Sequence, residues 1–183
     1  LENGRITISR ANRQVDYPSR FQLIAAMNPC PCGYLGDGSS RCRCTAEQVM
    51  RYRNRISGPL LDRIDMHVEV PRQTIDCANQ SPKEPIETSQ VVGERVASAI
   101  DRQQRRQKKR NQLLNVHELD RYAQLNQGGL HLLRQAIERL GLSMRAYHRI
   151  IKLSRTIADL EDKEQITERH ISEAIGYRRL DRR

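Results

Sequence analysis

Four of the five cysteines fall between residues 30 and 44, in two C-x-C pairs, Cys30 with Cys32 and Cys42 with Cys44. Four thiolates so grouped form the ligand set of a closed structural Zn2+ site, with no open position for catalysis. C-x-C is tighter than the usual zinc spacing, but the intervening GYLGDGSSR is rich in Gly and Ser and can fold back, and Arg41 and Arg43 would offset surplus negative charge. Two disulfides and four free thiols are the alternatives. The opening LENGRITISRA carries no secretory signal, so the expected compartment is the reducing cytoplasm, where stable disulfides are disfavoured.

Three other residues have types and positions that suit phosphate chemistry. Asn28 ends the apolar run FQLIAAM, and an amide at the carboxyl end of a buried strand can orient a water or a phosphate oxygen. Its plain alternative is a turn residue before Pro29. Arg63, in ISGPLLDRIDMHVEV, follows a short helix and could reach a neighbouring subunit's nucleotide, or else pair locally with Asp62 or Asp65. Arg145, Arg149 and Lys152 share the polar face of a helix; Arg145 sits in its first turn, where a cation opposes the dipole, which suits an anionic ligand nearby, although an exposed helix tolerates such a residue at small cost.

The elements that must hold these residues divide the chain. Residues 5–10 (RITISR) and 66–70 (MHVEV) alternate like half-buried strands, and 21–27 is continuous like a strand buried on both faces. The polar stretch ANRQVDYPS between the first two runs suits a protruding hairpin. Thr45 with Gln48 forms a capping box for a helix to about Ile56, and a second short helix covers Pro59 to Arg63. Residues 72–88 read as a linker. Beyond it the period is helical throughout: 89–108 with Val92, Val96, Ala99 and Ile100 inward; a helix capped by Asn115 and Glu118; 128–140 closed by Gly141; one from Ser143 to about Leu160; and one from Thr167. The expected fold is α/β over 1–71, followed by an all-α domain over 89–183.

Charge narrows the partner. The net charge of +10 makes nucleic acid the first candidate, while a single Phe and no Trp argue against stacking on exposed aromatics as the main mode of binding. The run DRQQRRQKKR ends the first long helix, either complementing its dipole or facing DNA. No stretch approaches the roughly 18 apolar residues of a membrane span. Cys77, in the linker, has no evident role, and the five histidines show no ligand spacing to the cysteine loop.

AAMNPCPCG, SGPLLDRIDMHVEVP and LSMRAYHRIIKLSRTIADL together closely resemble the Mg-chelatase-like AAA+ ATPases of the ComM/YifB type, over essentially the whole chain. The resemblance implies that Asn28 is sensor 1, Arg63 the arginine finger acting in trans, and Arg145 the sensor 2 arginine of a helical lid. It implies a hexamer using ATP and Mg2+ to move on DNA, single-stranded or branched, as in branch migration during natural transformation. It also makes ITISRANRQVDYPSRFQLIAAM a pore hairpin on which Arg10, Arg13 and Arg20 contact the phosphate backbone. The chain contains no G-x-x-x-x-G-K-S/T and no acid-ended apolar run, so it reads as the C-terminal part of a longer protein and is expected not to hydrolyse ATP alone. The strand preceding the phosphate loop would lie between 21–27 and 66–70; without it those runs either fold loosely or pair directly. The rival readings are a non-catalytic basic nucleic-acid-binding module with a zinc-braced loop, and a chelatase-type motor acting on a protein partner.

Overall fold

A computed structural model describes residues 4–10, 13–71 and 87–178. Most of the expected linker and Cys77 lie outside the described residues. The chain forms two compact units, Leu1–Arg63 and Ile64–Arg183.

In the first unit, β1 (Arg5–Arg10) and β2 (Arg13–Pro18) form an antiparallel hairpin. Ile6 lies opposite Tyr17, Ile8 opposite Val15, and Arg10 opposite Arg13. Residues directly opposite share a face, so one side of the hairpin is apolar. The other carries Thr7, whose hydroxyl donates to Asp16 Oδ1 at 2.5 Å. All residues of both strands are exposed.

This hairpin is the whole sheet among the described residues and the chain is mostly helical: the expected all-α part is present, and the expected α/β arrangement of 1–71 reduces to two paired strands and two short helices. Residues 21–27 form no strand, and Phe21, Leu23, Ile24 and Met27 stand exposed, Ile24 to 83%. Residues 66–70 form none either. Periodicity shows that a segment suits a strand, but the strand exists only when a neighbour satisfies its edges, and no described segment does so.

Local signals are obeyed closely. Thr45 and Gln48 close their capping box at the start of α1 (Ala46–Arg53). Ser57 caps α2 (Gly58–Leu61), with Pro59 in its first turn, where a missing N–H costs nothing.

The second unit contains α3 (Ser89–Gln107), a 3-10 turn (Asn111–Leu113), α4 (Val116–Tyr122), α5 (Gln127–Leu140), α6 (Met144–Leu160) and α7 (Glu168–Gly176). Side chains of Thr88, Asn115, Asn126 and Ser143 accept backbone N–H bonds at their helix starts, and Gly141 ends α5 in a left-handed conformation. Helix α6 is central, burying Ala146, Ile150, Ile151, Ile157 and Ala158 and packing against α7, α3, α4 and the 3-10 turn. Helix α5 meets α7 where Leu125 bridges to Ile166. A Cβ on Gly129 would lie 2.5 Å from Ile171 Cδ1, so this approach needs glycine. In α3 only the later turns pack as expected: Ala99 is buried, whereas Val92 and Val96 stay exposed.

Residues 64–67 belong with these helices. The His67 N–H donates to Tyr177 O at 2.7 Å, Arg178 donates to Ile64 O, and Arg149 pairs with Asp65.

Candidate functional site

The cysteine loop begins with a turn in which the Gly33 N–H donates to Cys30 O at 3.1 Å across Pro31 and Cys32. Asp37 then organises the connection. Its Oδ1 accepts from the Ser39 N–H at 2.8 Å and hydroxyl at 2.6 Å, and Oδ2 meets the Arg41 guanidinium at 3.0 Å. Arg41 also lies over the Tyr34 ring, 4.5 Å from its centroid. The Ser39 hydroxyl, then its N–H and Arg41, hold the Asp37 carboxyl below its ordinary range. Arg41 therefore has a loop-forming role beside any screening of thiolate charge.

This clamp folds the two C-x-C pairs together, and the four sulfurs lie within 4.8 Å of one another. Cys30 Sγ is 3.3 Å from Cys32 Sγ and 3.9 Å from Cys42 Sγ; Cys32 and Cys42 are 3.7 Å apart. A tetrahedral zinc with Zn–S of about 2.3 Å sets its sulfurs about 3.8 Å apart, so the spacing fits such an ion with little adjustment. All four are free cysteines. Burial pushes the Cys30 thiol up, yet hydrogen bonds from Cys32, the backbone at Leu35 and Cys42 outweigh it and bring it to about 6. A backbone hydrogen bond at Cys32 favours the Cys44 thiolate, but the Cys32 thiol, burial and negative Cys30 together push Cys44 up to about 11. The cluster thus eases ionisation of Cys30 and Cys32 and resists it at Cys42 and Cys44, and a divalent cation would draw off the remaining protons.

The other expected site residues fall at distinct places. Asn28 is exposed, directly before the loop, and a Cβ on Gly33 would come within 3.7 Å of its Nδ2. Arg53 Nε donates to Pro29 O at 3.4 Å, tying α1 to the same loop. Arg63 is half-buried behind α2, and its Nη1 donates to Pro59 O at 2.8 Å. Arg145 is exposed in the first turn of α6. On the same face Arg149 pairs with Asp65, and Lys152 donates to Gln112 O at 3.0 Å. Arg10 and Arg13 sit together at one end of the hairpin, while Arg20 lies at the other, beside Gly4. Along β2 that separation is about 17 Å.

Sequence reasoning missed a buried polar cluster built around Asp159, which is 1% exposed. Its carboxylate takes Arg106 at 2.6 and 2.9 Å, Arg155 at 3.0 Å and Asn111 Nδ2 at 2.9 Å. Arg155 also donates to the carbonyls of Glu164 and Lys163. Arg102 bonds Asp159 O at 2.7 Å and pairs with Asp162 at 2.8 Å, and Lys109 pairs with Glu118. Half of the basic run at the end of α3 is therefore structural. Its spacing carried no such signal, because the partners of Arg102 and Arg106 lie more than fifty residues away in sequence.

The chain thus carries a basic hairpin and a four-thiol loop in one unit and a bundle of helices in the other. Residues 1–78 match the family described as "Magnesium chelatase, subunit ChlI", and residues 86–178 match "Magnesium chelatase, subunit ChlI C-terminal". The chain belongs to this family. It is 47% identical over 183 residues to "Competence protein ComM" of Haemophilus influenzae, and 44% and 41% identical over 182 residues to "Uncharacterized protein YifB" of Salmonella typhimurium and of Escherichia coli. In each case the match takes in 100% of this chain but 35% of the relative, so the chain spans about a third of their length. Among the described residues no helix is long and apolar enough to cross a membrane.

Proposed function

We propose that this chain forms part of a hexameric ATP-driven motor acting on DNA, with the strand-handling and nucleotide-sensing residues named above. The observation that carries DNA is the hairpin register. Two arginines face each other across the strands beside its tip, a like-charge pairing that destabilises the bare hairpin and that a phosphate backbone would relieve. The likeness to a relative named as a competence protein supports a role in handling DNA taken up during transformation.

In this reading ATP and Mg2+ bind mainly to residues outside this chain. Arg63 reaches the neighbouring subunit's γ-phosphate and stabilises charge in the transition state. Asn28 orients the attacking water, and Arg145 couples the helical unit to the nucleotide. Cys30, Cys32, Cys42 and Cys44 hold Zn2+ as a brace behind Asn28; the ion supplies rigidity and takes no part in hydrolysis.

Arg63→Ala in a protein of the relatives' full length should abolish ATPase, and mixing with subunits defective only in their phosphate loop should restore part of it. Full ATPase in Arg63→Ala would remove the finger assignment. Arg10→Gln with Arg13→Gln should weaken single-stranded DNA binding and flatten its salt dependence by about 1 to 1.5 in the log–log slope; an unchanged slope would remove the hairpin.

A further inference from the structure

Six cations lie between Arg102 and Arg110, and the structure sorts them into two groups. Arg102, Arg106 and Lys109 are held by Asp159, Asp162 and Glu118. Arg105, Lys108 and Arg110 are exposed and make no ion pair or side-chain hydrogen bond among the described residues. Arg105 and Lys108 are three residues apart at the end of α3, a spacing that puts neighbouring side chains on one face, and Arg110 follows directly. Helix-dipole complementation needs no such number, and the inward cations already stand at that terminus.

Lys108 adds a second, independent observation. It ends α3 with φ 60° and ψ 14°, in the left-handed region, and its N–H donates to Gln104 O. Glycine takes that conformation without steric cost and asparagine at little, whereas lysine pays for its Cβ there. Among the described residues the other non-glycine with positive φ is Asp162, a type that tolerates the region better and is occupied with Arg102. A strained backbone kept at the centre of three unengaged cations points from the strain to a use for the charge.

We infer that Arg105, Lys108 and Arg110 form a contact site for the phosphodiester backbone of a nucleic acid on the helical unit, in addition to the hairpin. The inference rests on the DNA reading above. Three cations on a helix end suit phosphates rather than bases, so this site adds affinity without sequence preference. The two unlike positions give separate electrostatic holds, one on a unit built from a hairpin and one on a unit built from helices.

The test uses the whole chain and a fluorescein-labelled mixed-sequence single-stranded oligodeoxynucleotide, with anisotropy read over a salt series. The triple variant R105Q/K108Q/R110Q is expected to lower the slope of log K against log salt by about 2 and to weaken binding at moderate salt at least about tenfold. Lys108→Gly is expected to raise Tm while weakening binding, two opposite effects that a purely structural lysine would not produce. Wild-type affinity and slope in the triple variant, with binding lost in R10Q/R13Q, would overturn this site and leave the DNA reading standing. No salt-dependent binding by the wild type would overturn both. A higher Tm with unchanged affinity in Lys108→Gly would show that the strain is not kept for the charge. Loss of binding to phosphatidylserine vesicles in the triple variant, with oligonucleotide binding intact, would assign the patch to membranes and overturn the nucleic-acid proposal.

Discussion

Asp159 accepts from two guanidinium groups and a carboxamide while nearly inaccessible to water. Burial makes Arg155 easier to deprotonate, and neighbouring Asp159 opposes that shift. Removing one partner of a buried ion pair strands the other. Asp159→Ala should therefore cost about 3–5 kcal/mol in urea denaturation, whereas Arg105→Ala, at an exposed cation, should fall within about 0.5 kcal/mol. Neither difference was legible in DRQQRRQKKR, where both kinds of arginine look alike. By contrast, the four cysteines were legible as a ligand set because their grouping is local and the chain between them is short. Asp37 was not picked out as their organiser, since its role depends on backbone turns at Ser39 and Arg41.

Helix starts were the most readable elements, because a cap is a contract between residues three apart. Thr45 with Gln48, Asn115 with Glu118, and Ser143 all cap as expected. Glu118 is held below its ordinary carboxylate range, first by Lys109 and then by the Asn115 N–H. A depressed folded pKa contributes stability that is present above the unfolded value of about 4.3 and is lost as pH falls through the folded value. Acidification below about pH 4.3 should therefore loosen the start of α4, seen as an amide shift at Asn115 in an NMR titration. Asn115→Ala should cost about 1 kcal/mol by removing the acceptor of the Glu118 N–H, whereas Glu118→Gln should remove that titration signature. Strands were less readable. Residues 5–10 formed one, the polar ANRQVDYPS supplied its partner, and the more apolar 21–27 formed none, because pairing depends on a neighbour rather than on hydrophobicity.

At the scale of the whole molecule, charge divides into cations that build and cations that are presented. The net +10 alone could not make that division, which requires knowing where the acids fall. The family was legible because three separate segments agreed, and its two matched regions span most of the chain. The metal reading has a direct check: protein purified without chelator should carry about one zinc per chain, and chelation should expose four reactive thiols. Four titratable thiols with a zinc content near zero would refute it. The hairpin has a consequence for how the chain behaves in a tube. Its outer backbone edges and its Ile6, Ile8, Val15 and Tyr17 face are open, which makes it a template for stacking and edge pairing between copies. Arg5, Arg10 and Arg13 act as gatekeepers through mutual repulsion, and salt screens repulsion. Light scattering should therefore show colloidal growth as salt rises, opposite to the usual salting-in of a basic protein, and Val15→Lys should suppress it.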